Sequence, residues 1–201
     1  LEGREAIQIG VVAADNKMQK VKIFSKAIRL SEPNLFNEKT EIISHTPLSN
    51  IMQGKEENVV LTNFAQTFPE YHFLIVWTRD TYDLFLRDMR KSGISTKRHK
   101  VVVLQKILGV IAGNENNQIG FENALTCAEI EYVPNYLHYA KHDAVYLYQL
   151  FCQCFRQYSE MTAEESCLAN KATKKLHTEN CRYVQNMSVE RKKALPKSMI
   201  F

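Results

Sequence analysis

Leu137-His-Tyr-Ala-Lys-His-Asp-Ala-Val-Tyr-Leu-Tyr-Gln-Leu-Phe151 is the stretch whose reading decides the fold. From Ala144 onward, Ala144, Leu147, Leu150, Phe151, Cys154, Phe155 and Tyr158 recur at three- and four-residue spacing, the buried stripe of an amphipathic helix. Asp143 stands one position before that stripe, in the first turn, where the helix dipole favours a carboxylate. A carboxylate at the edge of a core can serve as an oxygen ligand for a divalent cation. His138 follows Val133-Pro-Asn and is expected on a loop that reaches the same place, as a general base beside a metal. The plainer alternative is that Asp143 only caps a helix and His138 is a surface or packed histidine.

A second informative stretch lies upstream. Phe73-Leu-Ile-Val-Trp77 is a continuous apolar run of strand length, the pattern of a strand covered on both faces. Thr78-Arg-Asp80 follows, and a helical pattern starts at Thr81, with Leu84, Phe85 and Met89 facing inward. Asp80 is therefore expected where strand passes into helix, at the carboxyl edge of a sheet, where open α/β sheets hold their ligands. The same position suits a simple helix cap, with Asp83 as its partner in the first turn.

Other elements are read around these two. Ile7 to Ala13 and Val21 to Leu30 are expected to pair as a hairpin across Asp15-Asn-Lys17, residues that tolerate turn conformations. Ile42 to Met52 reads as a short helical segment that includes a structural His45, and Glu57 to Phe68 as a helix ended by Pro69. Val101 to Leu104 reads as a short strand, Gly113-Asn-Glu-Asn-Asn as a polar loop and Ile119 to Ile130 as a further helix.

His138-x-Ala140-x-x-Asp143-Ala144, followed by an apolar helix, resembles the third motif of the DEDDh 3'–5' exonucleases, which have a ribonuclease-H-like fold. The opening Ile7-Gln-Ile-Gly10 resembles the second strand of that family, and the order of elements fits from about residue 6 to 158. The resemblance implies an α/β fold with a ribonuclease-H-like mixed sheet flanked by helices. It also implies hydrolysis of phosphodiesters at the 3' ends of single-stranded RNA or DNA by two divalent cations, magnesium or manganese. In this chain Asp143 would ligate the nucleophile-side cation, Asp80 would support the second, and His138 would be the base. The family's usual spacing from tryptophan falls on Thr81, so Asp83 stands as the alternative to Asp80.

The family's first motif, Asp-x-Glu, should precede Ile7, but residues 1–5 read Leu-Glu-Gly-Arg-Glu. The sheet is therefore expected to lack its first strand, Ile7 to Val12 to have an open flank, and the chain by itself to be a poor nuclease. A catalytically inactive nucleic-acid-binding module of the same fold, or a plain interaction domain, are the alternatives.

Composition bounds these readings. A chain of 201 residues, 45% hydrophobic, is long enough for one good core, placed at 1–158, with 159–201 as a basic tail or linker. Residues 171–201 carry eight Lys or Arg against two Glu, although the net charge is only +4. Such a tail suits phosphate contacts or simple solvation. No apolar run is long enough to span a bilayer and no signal-peptide pattern opens the chain, so a cytoplasmic protein without a membrane partner is expected. The five cysteines, at 127, 152, 154, 167 and 181, form no disulfide framework. His177 and Cys181 are four apart in a segment that resembles the start of Ada-like zinc modules, but no closing Cys-x-x-Cys follows. Two ligands do not make a structural zinc site, so none is expected there.

Overall fold

The hairpin at the start of the chain carries the core on one face and, on the other, the helix that starts just after His138 and holds Asp143. In the computed structural model, which describes residues 4–96, 99–111, 118–161, 167–170 and 175–178, β1 (Gln8–Ala14) pairs antiparallel with β2 (Lys20–Ala27). Facing partners on an antiparallel pair share a face. Val11 opposite Phe24, together with Ile9, meets a cluster of Ile28, Val60, Leu61, Phe64 and Met89. Phe64 is the centre of this cluster, with ring centroids 6.1 Å from Phe24, 5.3 Å from Phe68 and 5.3 Å from Phe85. Burying such rings in edge and tilted contacts contributes beyond area alone, by about 0.5–1.5 kcal/mol per pair.

Two short helices, α1 (Glu38–Ser44) and α2 (Leu48–Met52), follow β2. They divide the segment read as one short helix, because His45 ends α1 in the left-handed conformation and Pro47 precedes α2. The next helix, α3 (Glu57–Thr67), buries Val60, Leu61 and Phe64. It leads to β3 (Phe73–Val76), α4 (Arg79–Lys91) and β4 (Lys100–Val103), a parallel β-α-β unit in which Phe73 pairs with Lys100 and Val76 with Val103. Next come α5 (Leu104–Ile111), α6 (Phe121–Cys127) and the long α7 (Ala140–Met161). The polar loop read at Gly113 to Asn117 lies outside the described residues.

The α/β fold thus has the mixed strand directions expected, divided between an antiparallel and a parallel pair. Among the described residues β1 pairs only with β2 and β3 only with β4, so each keeps one flank without a strand. The burial reflects this. No residue of β1 is fully buried, and Phe73 on β3 is 46% exposed although its sequence is that of a central strand. An apolar strand edge left open is a site for pairing with another segment.

Contacts divide the chain into a unit of Leu1–Cys152 and a second of Gln153–Phe201. In the second unit, β5 (Cys167–Asn170) and β6 (Lys175–Thr178) form an antiparallel hairpin, with Leu168 opposite His177. Cys181, the other residue of the zinc-like pair, lies outside the described residues. No helix among the described residues is long and apolar enough to cross a membrane.

One charged cluster sits at the core's edge. Asp88 on α4 is buried and accepts from Arg87 at 2.7 Å, while Lys91 lies 3.9 Å from Glu57 on α3. Desolvation, then the neighbouring Asp88 charge, holds the Glu57 carboxyl above its usual range, with Lys91 opposing. A carboxyl raised in the folded state contributes stability that is complete below its unfolded value, about 4.3, and is lost as pH rises through the folded value. Glu57→Gln lacks that loss. The stability of the variant relative to the wild type should therefore increase with pH in urea melts between about pH 4 and 8. A difference that does not vary with pH would contradict the assignment.

Candidate active site at the start of α7

The segment before α7 is held from both sides. Tyr146 on α7 accepts the Val133 amide through its hydroxyl at 3.1 Å, a 3-10 turn follows at Pro134–Tyr136, and the Leu137 side chain is buried. With Leu137 anchored, His138 faces solvent in the left-handed conformation, at φ 68°. A residue other than glycine pays roughly 1–2 kcal/mol for that region, and such strain persists where surrounding contacts fix it. The contact here is Asp143, whose carboxylate accepts the His138 amide at 3.0 Å. The two residues singled out from sequence are thus neighbours, joined through the backbone of one and the side chain of the other.

The start of α7 differs from the sequence reading by one turn. The helix begins at Ala140 rather than near Ala144, because its first turn, Ala140-Lys-His-Asp143, is closed by contacts from other elements and not by an apolar stripe. Tyr139 accepts the amides of His142 and Asp143 at 2.8 and 2.9 Å, and the Ala140 amide donates to the Gln8 side chain at 3.1 Å. Gln8 in turn donates to the Thr46 hydroxyl at 2.9 Å, and the Tyr139 hydroxyl donates to the His45 carbonyl at 2.9 Å. Orphan amides at a helix start need such partners; here Gln8 of β1 and the Tyr139 carbonyl accept them, and the α1–α2 turn holds Gln8 and Tyr139 in place.

Gly10 makes this docking possible. It lies opposite Ser25 on β1, and a Cβ there would collide with the Ala140 carbonyl and stand 2.7 Å from the Lys141 nitrogen. Neither Gln8 nor Gly10 is marked as functional by sequence. Their signal is only the Ile7-Gln-Ile-Gly10 pattern, which reads as ordinary strand.

Asp143 is half-buried, and desolvation raises its carboxyl above the usual range, opposed by the His138 amide and by the charges of His138 and His142. By the same linkage, its contribution to stability is complete at low pH and falls as pH rises through the raised value. The site thus holds a carboxylate that becomes anionic at a cost, and a cation beside it would offset that cost.

Asp80 is placed differently from Asp143. The cap of α4 is Thr78, whose hydroxyl accepts the Thr81 amide at 3.2 Å, so Asp80 is the second residue of the helix rather than its cap. It is exposed, with Arg4 at 3.7 Å. An exposed pair of this length contributes little, about 0–1 kcal/mol. Asp83, the alternative, accepts from Arg79 at 3.0 Å one turn back. Trp77 packs on Phe121 of α6 at 4.9 Å, and its carbonyl accepts the Gln105 amide, which fixes the strand end that precedes both carboxylates. Among the described residues no three His, Cys, Asp or Glu side chains are gathered closely enough to hold a metal ion.

No family model matches the sequence, and no curated protein matches it. The structure is similar to the crystal structure of cell-death related nuclease 4 (CRN-4), with a TM-score of 0.60 at 14% identity over 78% of this chain. The chain spans 59% of the length of that nuclease chain. At this identity the likeness is one of fold, and it places the chain among α/β folds of the ribonuclease-H-like kind.

Proposed function

We propose that the chain is a 3'–5' exonuclease domain of the DEDDh kind acting on single-stranded nucleic acid, with His138 as general base and Asp143 and Asp80 as metal-binding carboxylates. The observation that supports it is the closed His138–Asp143 turn at the start of α7, set in a fold shared with a nuclease. The strained backbone aims His138 into solvent while its neighbour Leu137 is locked in the core. An imidazole so presented is open to a water that it could serve as general base.

The described residues do not by themselves fit a two-cation site. Two divalent charges need several anionic oxygens, and this chain brings Asp143 and the exposed Asp80, with no group of three donors among the described residues. The described residues are accordingly a poor two-cation site on their own, and the further carboxylates come from outside them. The incomplete donor set also favours a second reading, a nucleic-acid-binding module that keeps the fold without catalysis.

Incubating the chain, and a version extended upstream of Leu1, with a 3'-labelled single-stranded oligonucleotide and manganese separates these readings. The extended version should trim from the 3' end, and His138→Ala should slow it by about 10²–10⁴-fold, the usual contribution of a positioned general base. Trimming by the extended version that is indifferent to His138→Ala would refute the assignment of the base. Binding without trimming would favour the module.

A further inference from the structure

Two histidines on different elements stand in the left-handed conformation, and both are tied to one tyrosine. His45, at φ 50°, ends α1, and His138, at φ 68°, stands just before α7. Tyr139 follows His138 directly and reaches back along the chain to His45. Its hydroxyl donates to the His45 carbonyl at 2.9 Å, and its ring stacks on the His45 ring with centroids 5.8 Å apart and planes inclined 22°. Its own carbonyl accepts the amides of His142 and Asp143. The backbone and side chain of one residue thus join the α1–α2 turn to the carboxylate that closes on the His138 amide.

The two sides of His138 are held differently. Before it, Leu137 is buried, the Val133 amide donates to Tyr146, and Tyr136 stacks on His142 at 4.5 Å. After it comes Tyr139, which is not a core residue and whose side chain rests on His45, with an edge contact to His142 at 6.3 Å. Left-handed backbone at a histidine lies above the right-handed and extended alternatives, so a residue released on one side relaxes into those. The bond from the His138 amide to Asp143 opposes this, but one such bond contributes an amount of the same order as the strain that it holds. A second restraint is needed, and the tie from Tyr139 to His45 supplies it.

We infer that Tyr139 is a positioning residue: held by His45, it fixes the backbone turn that presents the His138 imidazole at the candidate active site. Its consequence for catalysis rests on the reading of His138 as general base, whereas the holding of His138 does not. Gln8, which accepts the Ala140 amide and donates to Thr46, ties the next residue to the same turn. The α1–α2 turn therefore acts on the site without touching a reacting atom.

The test is NMR relaxation of backbone amides in the whole 201-residue chain, alongside trimming by the upstream-extended version. In the wild type the His138 amide should have an order parameter of about 0.85, the value of rigid backbone. Tyr139→Leu removes the hydroxyl and the ring together, and should lower that value below about 0.6 while the amides of Val60, Leu61 and Phe64 stay unchanged. Tyr139→Phe keeps the stack, and His45→Gly keeps the carbonyl and a residue at ease in the left-handed conformation, so each should fall between those limits. In the extended version Tyr139→Leu should lower kcat at least about tenfold with KM within about twofold, as for a residue that places a base and does not bind substrate. Tyr139→Phe should recover most of that loss. A His138 amide as ordered in Tyr139→Leu as in the wild type, or already mobile in the wild type, would overturn the inference. So would an equal loss of order in α3, which marks a general structural role, or a raised KM with kcat unchanged, which marks a substrate contact. Failure of the exonuclease reading shows instead as absent trimming by the extended wild type, and the order parameters still decide whether Tyr139 holds His138.

Discussion

Gly10→Ala is expected to destabilise the Leu1–Cys152 unit by about 3 kcal/mol or more, the upper end of what overpacking costs. The added Cβ meets the carbonyl of Ala140 and the nitrogen of Lys141, which are backbone atoms that no rotamer change can move aside. The first turn of α7 must then shift away from β1. That breaks the bond from the Ala140 amide to Gln8 and, with it, the tie to Thr46. The His138–Asp143 turn is built on the same residues, so displacement should also disturb the site. Chemical denaturation would show a lower midpoint with an unchanged slope. A variant as stable as the wild type would mean that α7 does not lie against β1 as described.

Asp143→Asn is expected to separate stability from function. The asparagine oxygen can still accept the His138 amide, while the desolvated charge is removed. Stability at neutral pH should therefore be retained or rise, and the advantage should vanish as pH falls below the raised value of Asp143. Activity should move the opposite way. In the upstream-extended version, cation-dependent trimming should fall by about 100-fold or more, at least what disturbing the partners of metal ligands costs.

Much of the element order was legible because the buried faces are written in local periodicity. Val60, Leu61 and Phe64 mark α3, Phe73 to Val76 mark β3, and Leu150 lies on the stripe of α7. The pairing of His138 with Asp143 was also legible, since both lie within one turn of a helix start. The boundary of α7 was not. Its first four residues are held by Gln8, which is 132 positions away, and by Tyr139, and neither is a usual cap. Thr78 illustrates the opposite case, a local cap three residues ahead of the amide it accepts, in a stretch where the charge of Asp80 is the stronger sequence signal. Gly10 is invisible to periodicity for a different reason. Its role is an absence of volume against a backbone far along the chain, and that requirement appears only once the fold brings α7 onto β1.

On the proposed function, Asp143 belongs to a cation site that the described residues only partly furnish. Calorimetric titration with manganese tests it most directly, on the 201-residue chain, the upstream-extended version and Asp143→Asn in the latter. The 201-residue chain should bind manganese weakly and without defined stoichiometry, the extended version should bind two ions, and Asp143→Asn should lose most of that affinity. Tight binding of two ions by the 201-residue chain, unchanged by Asp143→Asn, would contradict it.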